Sequence, residues 1–451
     1  MKEHDLTRRR FIAVASASSL ATLTSTKVSV GADVVKKAGK LAILGGEPVR
    51  KKKSWPSWPY VDDRIVDAIT KTTKSGIWCR IQSATGTVPT FEKEYAKLMG
   101  ARFCVGTGSG TQALHTCVEA LGIGAGDEVI TSPYTDPGTI SSILSARALP
   151  VLADLDPASY QLDPDEVEKR ITENTRAIMP VHMMGQPCHL ERIMAIARKH
   201  NLAVIEDAAQ AHLAEYQGKK LGTIAPLGCF SFQSSKTIAC GEGGAILGDD
   251  EALMDKCYTV HNHGTSRKGR TEVIGPKYRM NEFEGAVLLA QLVGAQERFA
   301  RRNQNAAHLT ARLKGCAGVV PQKLYDGTAS GSFYLYAMSY KKEHFNGVER
   351  SRFLKAVEAE GVGLSPYIER GLHREPWVEN VPKTKAYQKS FSGRRLQQFR
   401  DELSCPNCDR VCDEMVMIWA SGPLLAAQSD MDDIADAILK VYENRDALRT
   451  A

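Results

Sequence analysis

The chain has 451 residues, of which 43% are hydrophobic and 24% charged, so the composition is that of a globular protein and excludes a largely disordered or fibrous chain. The net charge is +6, and residues 1–32 supply +3 of it through five basic and two acidic side chains. The remaining charge is weak, and no basic stripe is interleaved with aromatic residues, so no nucleic-acid partner is expected.

Residues 1–32 have the pattern of an export signal. A cluster of Arg8, Arg9 and Arg10 precedes a modestly apolar stretch rich in Ala and Ser, and small residues suitable for cleavage end at Ala32. Residues 7–11 resemble a twin-arginine signal, which predicts export of the folded protein to the periplasm or another extracytoplasmic space. The alternative is a basic tail with an apolar anchor, and without an export signal the protein would be cytoplasmic. No later segment has the ~20 uninterrupted apolar residues of a membrane span.

From about residue 62, apolar strand-like runs alternate with helical patterns. This alternation predicts an α/β fold with a mainly parallel central sheet between helices. We predict an N-terminal arm over residues 33–74, a large domain over 75–300 and a smaller α+β C-terminal domain over 301–451. Helices are expected over 64–73, 90–99, 111–122, 189–200 and, as one long helix, 281–313. Strands are expected over 103–108, 128–132, 149–155, 176–182, 202–207, 229–232, 245–248 and 334–340.

Two polar segments follow predicted parallel strands, at the edge where open α/β sheets place their ligands. The first is the glycine-rich turn 106–111, which precedes a helix whose free N–H groups suit an anion; a plain capped turn is the alternative. The second begins with Glu206 and Asp207. A carboxylate at the end of a buried strand is costly unless a cation meets it. The segment is either a simple helix cap or a carboxylate held against a protonated heterocyclic nitrogen.

A third segment, FSFQSSKTIACGEGGAILG, contains a single lysine, Lys236, between a hydroxyl-rich turn and a run of glycines. An amine that forms a Schiff base needs a partly desolvated pocket in which its pKa falls. Ser231, five residues earlier, offers a hydroxyl to a phosphate. An anion cup, an acid for a ring nitrogen and a Schiff-base lysine are together what pyridoxal 5′-phosphate (PLP) requires.

The segments VGTGSGTQAL, VIEDAAQAH, FSFQSSKTIACGEGGAIL and KYRMNEFEGAVLLAQL resemble the DegT/DnrJ/EryC1/StrS family of fold type I, PLP-dependent sugar aminotransferases. The resemblance implies a homodimer with shared active sites. It implies Lys236 and Asp207 as catalytic residues, the first as covalent anchor and proton carrier and the second as partner of the pyridine nitrogen. The further cofactor-binding residues that it implies are Ser109, Gly110, Thr111, Gln210 and Ser231, with Arg279 and Asn281 reaching toward the neighbouring subunit's site.

The chain departs from the family at residues 132–138, where Asp136 stands in the place of an aromatic residue that stacks on the cofactor ring. A carboxylate cannot stack, so either Tyr134 takes this role or the ring is held differently. Tyr134 is also a candidate substrate contact. His373, in a segment that resembles the family's substrate-side loop, is a second candidate substrate contact.

The eleven cysteines are an odd number and lie scattered along the chain, which does not indicate a disulfide framework. Cys405, Cys408 and Cys412 form the one cluster. No fourth ligand with suitable spacing accompanies them, so no metal site is expected. A local disulfide remains an alternative.

The predicted function is transfer of an amino group from glutamate or glutamine to a keto-sugar or keto-cyclitol. Lys236 argues for transamination, because relatives that dehydrate sugars carry His at this position. Two alternatives stay open: a PLP-dependent sugar dehydratase or epimerase, and a non-catalytic PLP-binding regulatory protein.

Overall fold

The computed structural model describes residues 39–51 and 53–449. The predicted export signal, and residues 33–38 of the predicted arm, lie outside this range. The strands are β1 Phe103–Thr107, β2 Glu128–Thr131, β3 Leu149–Leu152, β4 Thr175–Met179, β5 Ala203–Asp207, β6 Glu215–Tyr216, β7 Lys219–Lys220, β8 Leu227–Ser231, β9 Gly244–Gly248, β10 Val319–Pro321, β11 Thr328–Ser330, β12 Leu335–Tyr340 and β13 Met415–Trp419. The α-helices are Asp63–Ser75, Thr87–Met99, Gly110–Ala120, Pro137–Ser145, Pro164–Lys169, Leu190–Lys199, Glu251–His261, Glu282–Leu292, Ala295–Leu313, Arg350–Ala359, Trp377–Asn380, Lys385–Ser390, Gly393–Asp401, Pro406–Glu414 and Gln428–Glu443.

Seven strands form the central sheet, in the order β1-β9-β8-β5-β4-β2-β3. Only β9 runs against its neighbours, and the others share one direction. Strands β2 and β3 are buried along their whole length, as expected for a parallel sheet covered by helices on both faces. Because the shared direction brings the carboxyl ends of β1, β2, β4, β5 and β8 to one edge, the loops after these strands meet there. The predicted α/β architecture is confirmed.

A smaller antiparallel sheet, β10-β12-β13, has its own hydrophobic core, to which the helices Ala295–Leu313, Arg350–Ala359 and Gln428–Glu443 contribute. A third sheet joins β11, β6 and β7. From Lys40 onward the described residues form one compact unit. The predicted boundary at residue 300 lies inside the helix Ala295–Leu313. None of the described helices is long and apolar enough to cross a membrane.

The single helix predicted over 281–313 was wrong, because two helices occupy this segment, Glu282–Leu292 and Ala295–Leu313. The helical pattern breaks at Val293, which is extended at ψ 120°, and at Gly294, which is left-handed at φ 76°. Glycine adopts this conformation without the steric penalty that a Cβ would meet. The apolar spacing continues through the break, so it did not reveal where the chain turns.

We expect Gly294→Ala to lower the free energy of unfolding by about 1–2 kcal/mol, the usual cost of a Cβ in the left-handed region. Urea denaturation followed by circular dichroism would measure the change. Gly363→Ala is the matched control, because Gly363 has no positive φ and a Cβ added there would meet no heavy atom within 4 Å. This variant should alter stability by less than about 0.5 kcal/mol. Equal stability of the two variants would contradict the expectation.

Candidate active site

A cavity of about 410 Å³ lies at the carboxyl edge of the central sheet. Its lining comes from the loops after β1, β2, β4, β5 and β8, and from the C-terminal part of the chain. Seven of the predicted site residues line it: Ser109, Gly110, Thr111, Asp207, Gln210, Ser231 and Lys236. The structure therefore brings together three segments that are far apart in sequence.

One end of the cavity is the N-terminus of the helix Gly110–Ala120. Ser109 caps this helix and accepts a hydrogen bond from the backbone N–H of Gln112 at 3.2 Å. Ser231 lies against the same turn, where a Cβ on Gly110 would stand 2.8 Å from the Ser231 Cβ. Only glycine lets the end of β8 approach so closely. First-turn N–H groups and a hydroxyl thus face one small space, which suits an anion such as phosphate.

Asp207, the last residue of β5, is only 3% exposed. Its Oδ2 accepts a hydrogen bond from Thr139 Oγ1 at 2.8 Å, and its Oδ1 accepts one from the backbone N–H of Ala209 at 3.2 Å. Burial raises the pKa of the carboxyl, against the lowering effect of these hydrogen bonds and of the Lys236 charge. A cation placed at this carboxylate would be strongly stabilised, because its charge would offset the desolvation.

Lys236 follows β8 and directs its amine over the ring of Tyr334, with Nζ 4.3 Å from the ring centroid. Burial lowers the pKa of Lys236, whereas the charges of Asp136 and Asp207 raise it. Within the described residues, no carboxylate lies within 4.0 Å of Nζ. The amine is therefore closer to its neutral, nucleophilic form than a surface lysine.

Asp136 lines the cavity and is exposed. It caps the helix Pro137–Ser145, and its Oδ1 accepts a hydrogen bond from the backbone N–H of Gly138 at 2.8 Å. Its charge also raises the pKa of Asp207. The residue that replaces the family's aromatic side chain thus adds a negative charge to the cavity wall.

Two side chains hold the backbone of the loop that follows β8 and carries Lys236, here termed the lysine loop. Trp58 Nε1 donates a hydrogen bond to the carbonyl of Lys236 at 3.1 Å, and Ser421 Oγ donates one to the carbonyl of Ser235 at 2.8 Å. Arg302 joins both supports. It donates from Nη2 to the carbonyl of Ser421 at 3.2 Å, and its guanidinium lies 4.9 Å from the Trp58 ring centroid.

Gln210 and His212 fix the loop after β5. Gln210 Oε1 accepts a hydrogen bond from the backbone N–H of Met184 at 2.7 Å. His212 lies between the Tyr95 hydroxyl and the Ser231 carbonyl, each at 2.8 Å. Burial lowers the pKa of His212 to about 3, so the ring is neutral, donates to Ser231 and accepts from Tyr95.

Three aromatic residues in the cavity lining, Tyr334, Tyr367 and Trp419, were missed by the sequence analysis. Tyr334 and Trp419 belong to the small-sheet region, and Tyr367 lies between β12 and β13. The three rings are mutually edge-on, at centroid distances of 5.8 to 6.4 Å. No local motif marks them, because they reach the site only through tertiary packing.

Four predicted residues lie outside the lining of the cavity. Tyr134 is fully buried in a hydrophobic cluster, because successive residues of this turn point in different directions and Thr135 and Asp136 take the cavity side. His373 is buried and its Nε2 lies 2.9 Å from Asp409 Oδ1. The structure therefore does not place Tyr134 or His373 in contact with a ligand in this cavity.

Arg279 and Asn281 are the other two predicted site residues that lie outside the cavity lining. Arg279 donates from Nη1 to Asn262 Oδ1 at 2.9 Å. Asn281 caps the helix Glu282–Leu292, accepting from the backbone N–H groups of Phe283 and Glu284. Their assignment to a neighbouring subunit's site stays a prediction.

In the part of the chain that the structure describes, no group of three or more His, Cys, Asp or Glu side chains is arranged to hold a metal. Cys405, Cys408 and Cys412 are buried free thiols. His182 is likewise buried, with its Nε2 2.9 Å from Glu206 Oε2.

Known proteins resemble this chain in sequence and in fold. The sequence profile of the DegT/DnrJ/EryC1/StrS aminotransferase family matches residues 59–417. An L-glutamine:2-deoxy-scyllo-inosose aminotransferase of Streptoalloteichus tenebrarius is 34% identical over 428 residues, covering 91% of this chain and 99% of its own. An L-glutamine:scyllo-inosose aminotransferase of Streptomyces griseus is 34% identical over 421 residues, covering 90% and 98%.

Solved structures share the fold. The crystal structure of 3-amino-5-hydroxybenzoic acid synthase superposes with a TM-score of 0.74 at 28% identity, over 89% of this chain and 100% of that one. An aminotransferase from Psychrobacter cryohalolentis superposes with a TM-score of 0.75 at 27% identity, over 87% and 99%. This chain therefore belongs to the DegT/DnrJ/EryC1/StrS family and is an aminotransferase.

Proposed function

We propose that this aminotransferase uses PLP to transfer the amino group of glutamine to a keto-cyclitol of the scyllo-inosose type. The observation that carries the proposal is the convergence of Lys236, Asp207 and the Ser109–Thr111 turn on one cavity. The relatives named above, which use glutamine and scyllo-inosose ketones, support the choice of donor and acceptor.

The residues present fit PLP. The close approach of Gly110 and Ser231 leaves a cradle that a Cβ would fill, and it combines helix N–H groups with a hydroxyl for a phosphate. Asp207 is a buried carboxyl group whose pKa is raised by burial. A nearby cation such as a protonated pyridine would stabilise its charged form. Lys236 is an amine of lowered pKa beside both.

When bound, PLP supplies an electrophilic carbon for amine exchange and an electron sink for the carbanion. Lys236 would hold it through Nζ, and the same amine would serve as the base that accepts a proton from the donor Cα. Asp207 would hold the pyridine nitrogen protonated, and hydrogen bonds from Thr139 and the Ala209 N–H keep Asp207 in place. Gln210 lines the cavity beside them.

The proposal includes a homodimer with shared active sites. Exposed apolar side chains support it, since Trp78 is 51% and Ile81 61% exposed, and such clusters mark interaction surfaces. Trp78 and Ile81 lie close to Asn281, because Asn281 forms an antiparallel β-bridge with Cys79. A partner subunit that covers this surface would meet Arg279 and Asn281 there.

The proposal also includes export by the twin-arginine route, on the sequence of residues 1–32 alone. That route carries folded proteins, so PLP would be inserted before export.

Lys236→Ala should abolish covalent attachment of PLP and lower the rate of the glutamine half-reaction by at least about 10²-fold, because the general base is lost. Borohydride reduction followed by mass spectrometry would locate the attachment, and absorbance would follow conversion of PLP to pyridoxamine phosphate. Lys93→Ala removes an exposed lysine outside the cavity and is the control. Cofactor still fixed to the Lys236→Ala chain would identify another lysine as the anchor. A wild-type protein that leaves PLP unchanged with every amino donor would contradict the proposed function.

Asp136→Asn should move the pH profile of cofactor attachment to lower pH. The Asp136 charge raises the pKa of Lys236 against the lowering effect of burial, so its removal lowers this pKa further and increases the neutral amine at a given pH. Asparagine is as good a helix cap as aspartate, so the helix Pro137–Ser145 should be retained. The measurement is the yield of borohydride-fixed PLP against pH.

Asp163→Asn is the matched control for this change, because Asp163 also caps a helix that begins with proline but lies outside the cavity lining. Its profile should coincide with that of the wild type. An Asp136→Asn profile that is unchanged, or displaced to higher pH, would show that Asp136 does not act on Lys236.

Replacing both Arg8 and Arg9 with lysine should retain the protein in the cytoplasm at full length, since lysine keeps the charge but not the planar guanidinium. Cell fractionation and N-terminal sequencing would test this, and the wild type should be cleaved near Ala32. Wild-type protein that is found in the cytoplasm with its N-terminus intact would refute the export signal.

A further inference from the structure

Trp419, the last residue of β13, lines the cavity and is 44% exposed. An exposed indole in a pocket of polar groups leaves a large apolar face in water, which is unfavourable until something covers it. The proposed PLP sites lie on the sheet side of the cavity, whereas Trp419 comes from the small antiparallel sheet. The ring is therefore placed to meet a substrate.

The position of the indole is fixed by its neighbours. Its plane is nearly perpendicular to the ring of Tyr334 (84°, centroids 5.8 Å apart) and to that of Tyr367 (85°, 6.1 Å). The Tyr334 hydroxyl lies 2.9 Å from Ser235 Oγ, and the Tyr367 hydroxyl accepts from Gln210 Nε2 at 3.3 Å. The three rings, which we term the aromatic corner, adjoin the reacting amine, because Lys236 Nζ lies over the Tyr334 ring.

The other groups around this corner are polar. Asp136 and Glu242 line the cavity as exposed carboxylates. Carboxylate oxygens accept hydrogen bonds from hydroxyls. The cavity thus combines one flat apolar wall with acceptors at its sides.

A cyclohexane ring with all its hydroxyls equatorial has matching chemistry. Both of its faces present only C–H groups, and all of its hydroxyls point outward around the rim. An epimer with one axial hydroxyl has a polar group on one face, and stacking that face on an indole would remove the hydroxyl from water without a partner.

We infer that Trp419 is the stacking platform for the C–H face of the acceptor, and that it selects all-equatorial cyclitol ketones over epimers with an axial hydroxyl. The inference rests on the proposed function and deepens it. Apolar contacts of this kind discriminate by roughly 10- to 200-fold in kcat/KM.

The test uses PLP-loaded wild type, Trp419→Leu and Trp419→Phe, with glutamine as donor. Acceptors are scyllo-inosose and an inosose epimer with one axial hydroxyl. For Trp419→Leu we expect kcat/KM for scyllo-inosose to fall by about 10- to 10²-fold, and the preference over the epimer to fall toward one. Trp419→Phe, which keeps an aromatic face, should retain most of the preference.

Two further measurements separate recognition from damage to the fold. The glutamine half-reaction, which involves no cyclitol, should fall by a much smaller factor in Trp419→Leu than the acceptor half-reaction. In the wild type, scyllo-inositol should inhibit more strongly than myo-inositol, which has one axial hydroxyl, and Trp419→Leu should remove the difference.

The inference is overturned if Trp419→Leu keeps the wild-type preference, or if both half-reactions fall by the same factor. A wild type that converts PLP with glutamine but aminates no inosose would overturn the proposed acceptor as well. A wild type that aminates scyllo-inosose and its epimer equally would leave the proposed function intact and refute the role of Trp419.

Discussion

The site depends on a buried carboxylate, Asp207, which no cation in the described part of the chain contacts. Two backbone hydrogen bonds tie Asp207 to the segment that follows β4, one from its own N–H to the Pro180 carbonyl and one from the His182 N–H to its carbonyl. Among the described residues, no basic side chain lies within 4.0 Å of it. Burying a charge in this way is costly and persists in proteins mainly where function requires it. The parallel sheet supplies the rigidity, because β5 lies between β4 and β8.

The charges around Asp207 explain why an added positive group would be stabilising. Asp207 and Asp136 both face Lys236, and both raise its pKa while burial lowers it. His212 contributes no positive charge, since its pKa is about 3. Two carboxylates thus share one amine of lowered pKa, and a protonated pyridine would correct the imbalance. The phosphate of PLP would lie at the opposite end of the cavity, where the N–H groups of the helix Gly110–Ala120, rather than a basic side chain, would bind it.

The sequence predicted those parts of the site that a short local pattern of residues identifies. Ser109 and Asp207 follow or end apolar runs, and parallel strands bring such positions to one edge. Local patterns could not predict which way each side chain of a turn points. In the turn after β2, Tyr134 enters the core and Asp136 faces the cavity. Nor could local patterns reveal the aromatic corner, whose members resemble core residues and converge only through the pairing of β12 with β13 and the bridge between Ser365 and Met417. The break at Gly294 was hidden because a glycine inside a helical pattern is often tolerated.

The contacts to the lysine loop fix its backbone but leave the side-chain amine of Lys236 outside them. Trp58 and Ser421 bind two consecutive carbonyls, so the backbone at Ser235 and Lys236 is fixed. Arg302 joins these supports although burial, together with the charge of Arg298, lowers its pKa to about 9. A buried guanidinium without a carboxylate is expensive, which indicates that its planar fork is needed to tie together segments from both ends of the chain. None of these contacts involves Nζ. The amine of Lys236 can therefore leave one bonding partner and reach another while its backbone stays in place, as the proposed role of anchor and proton carrier requires.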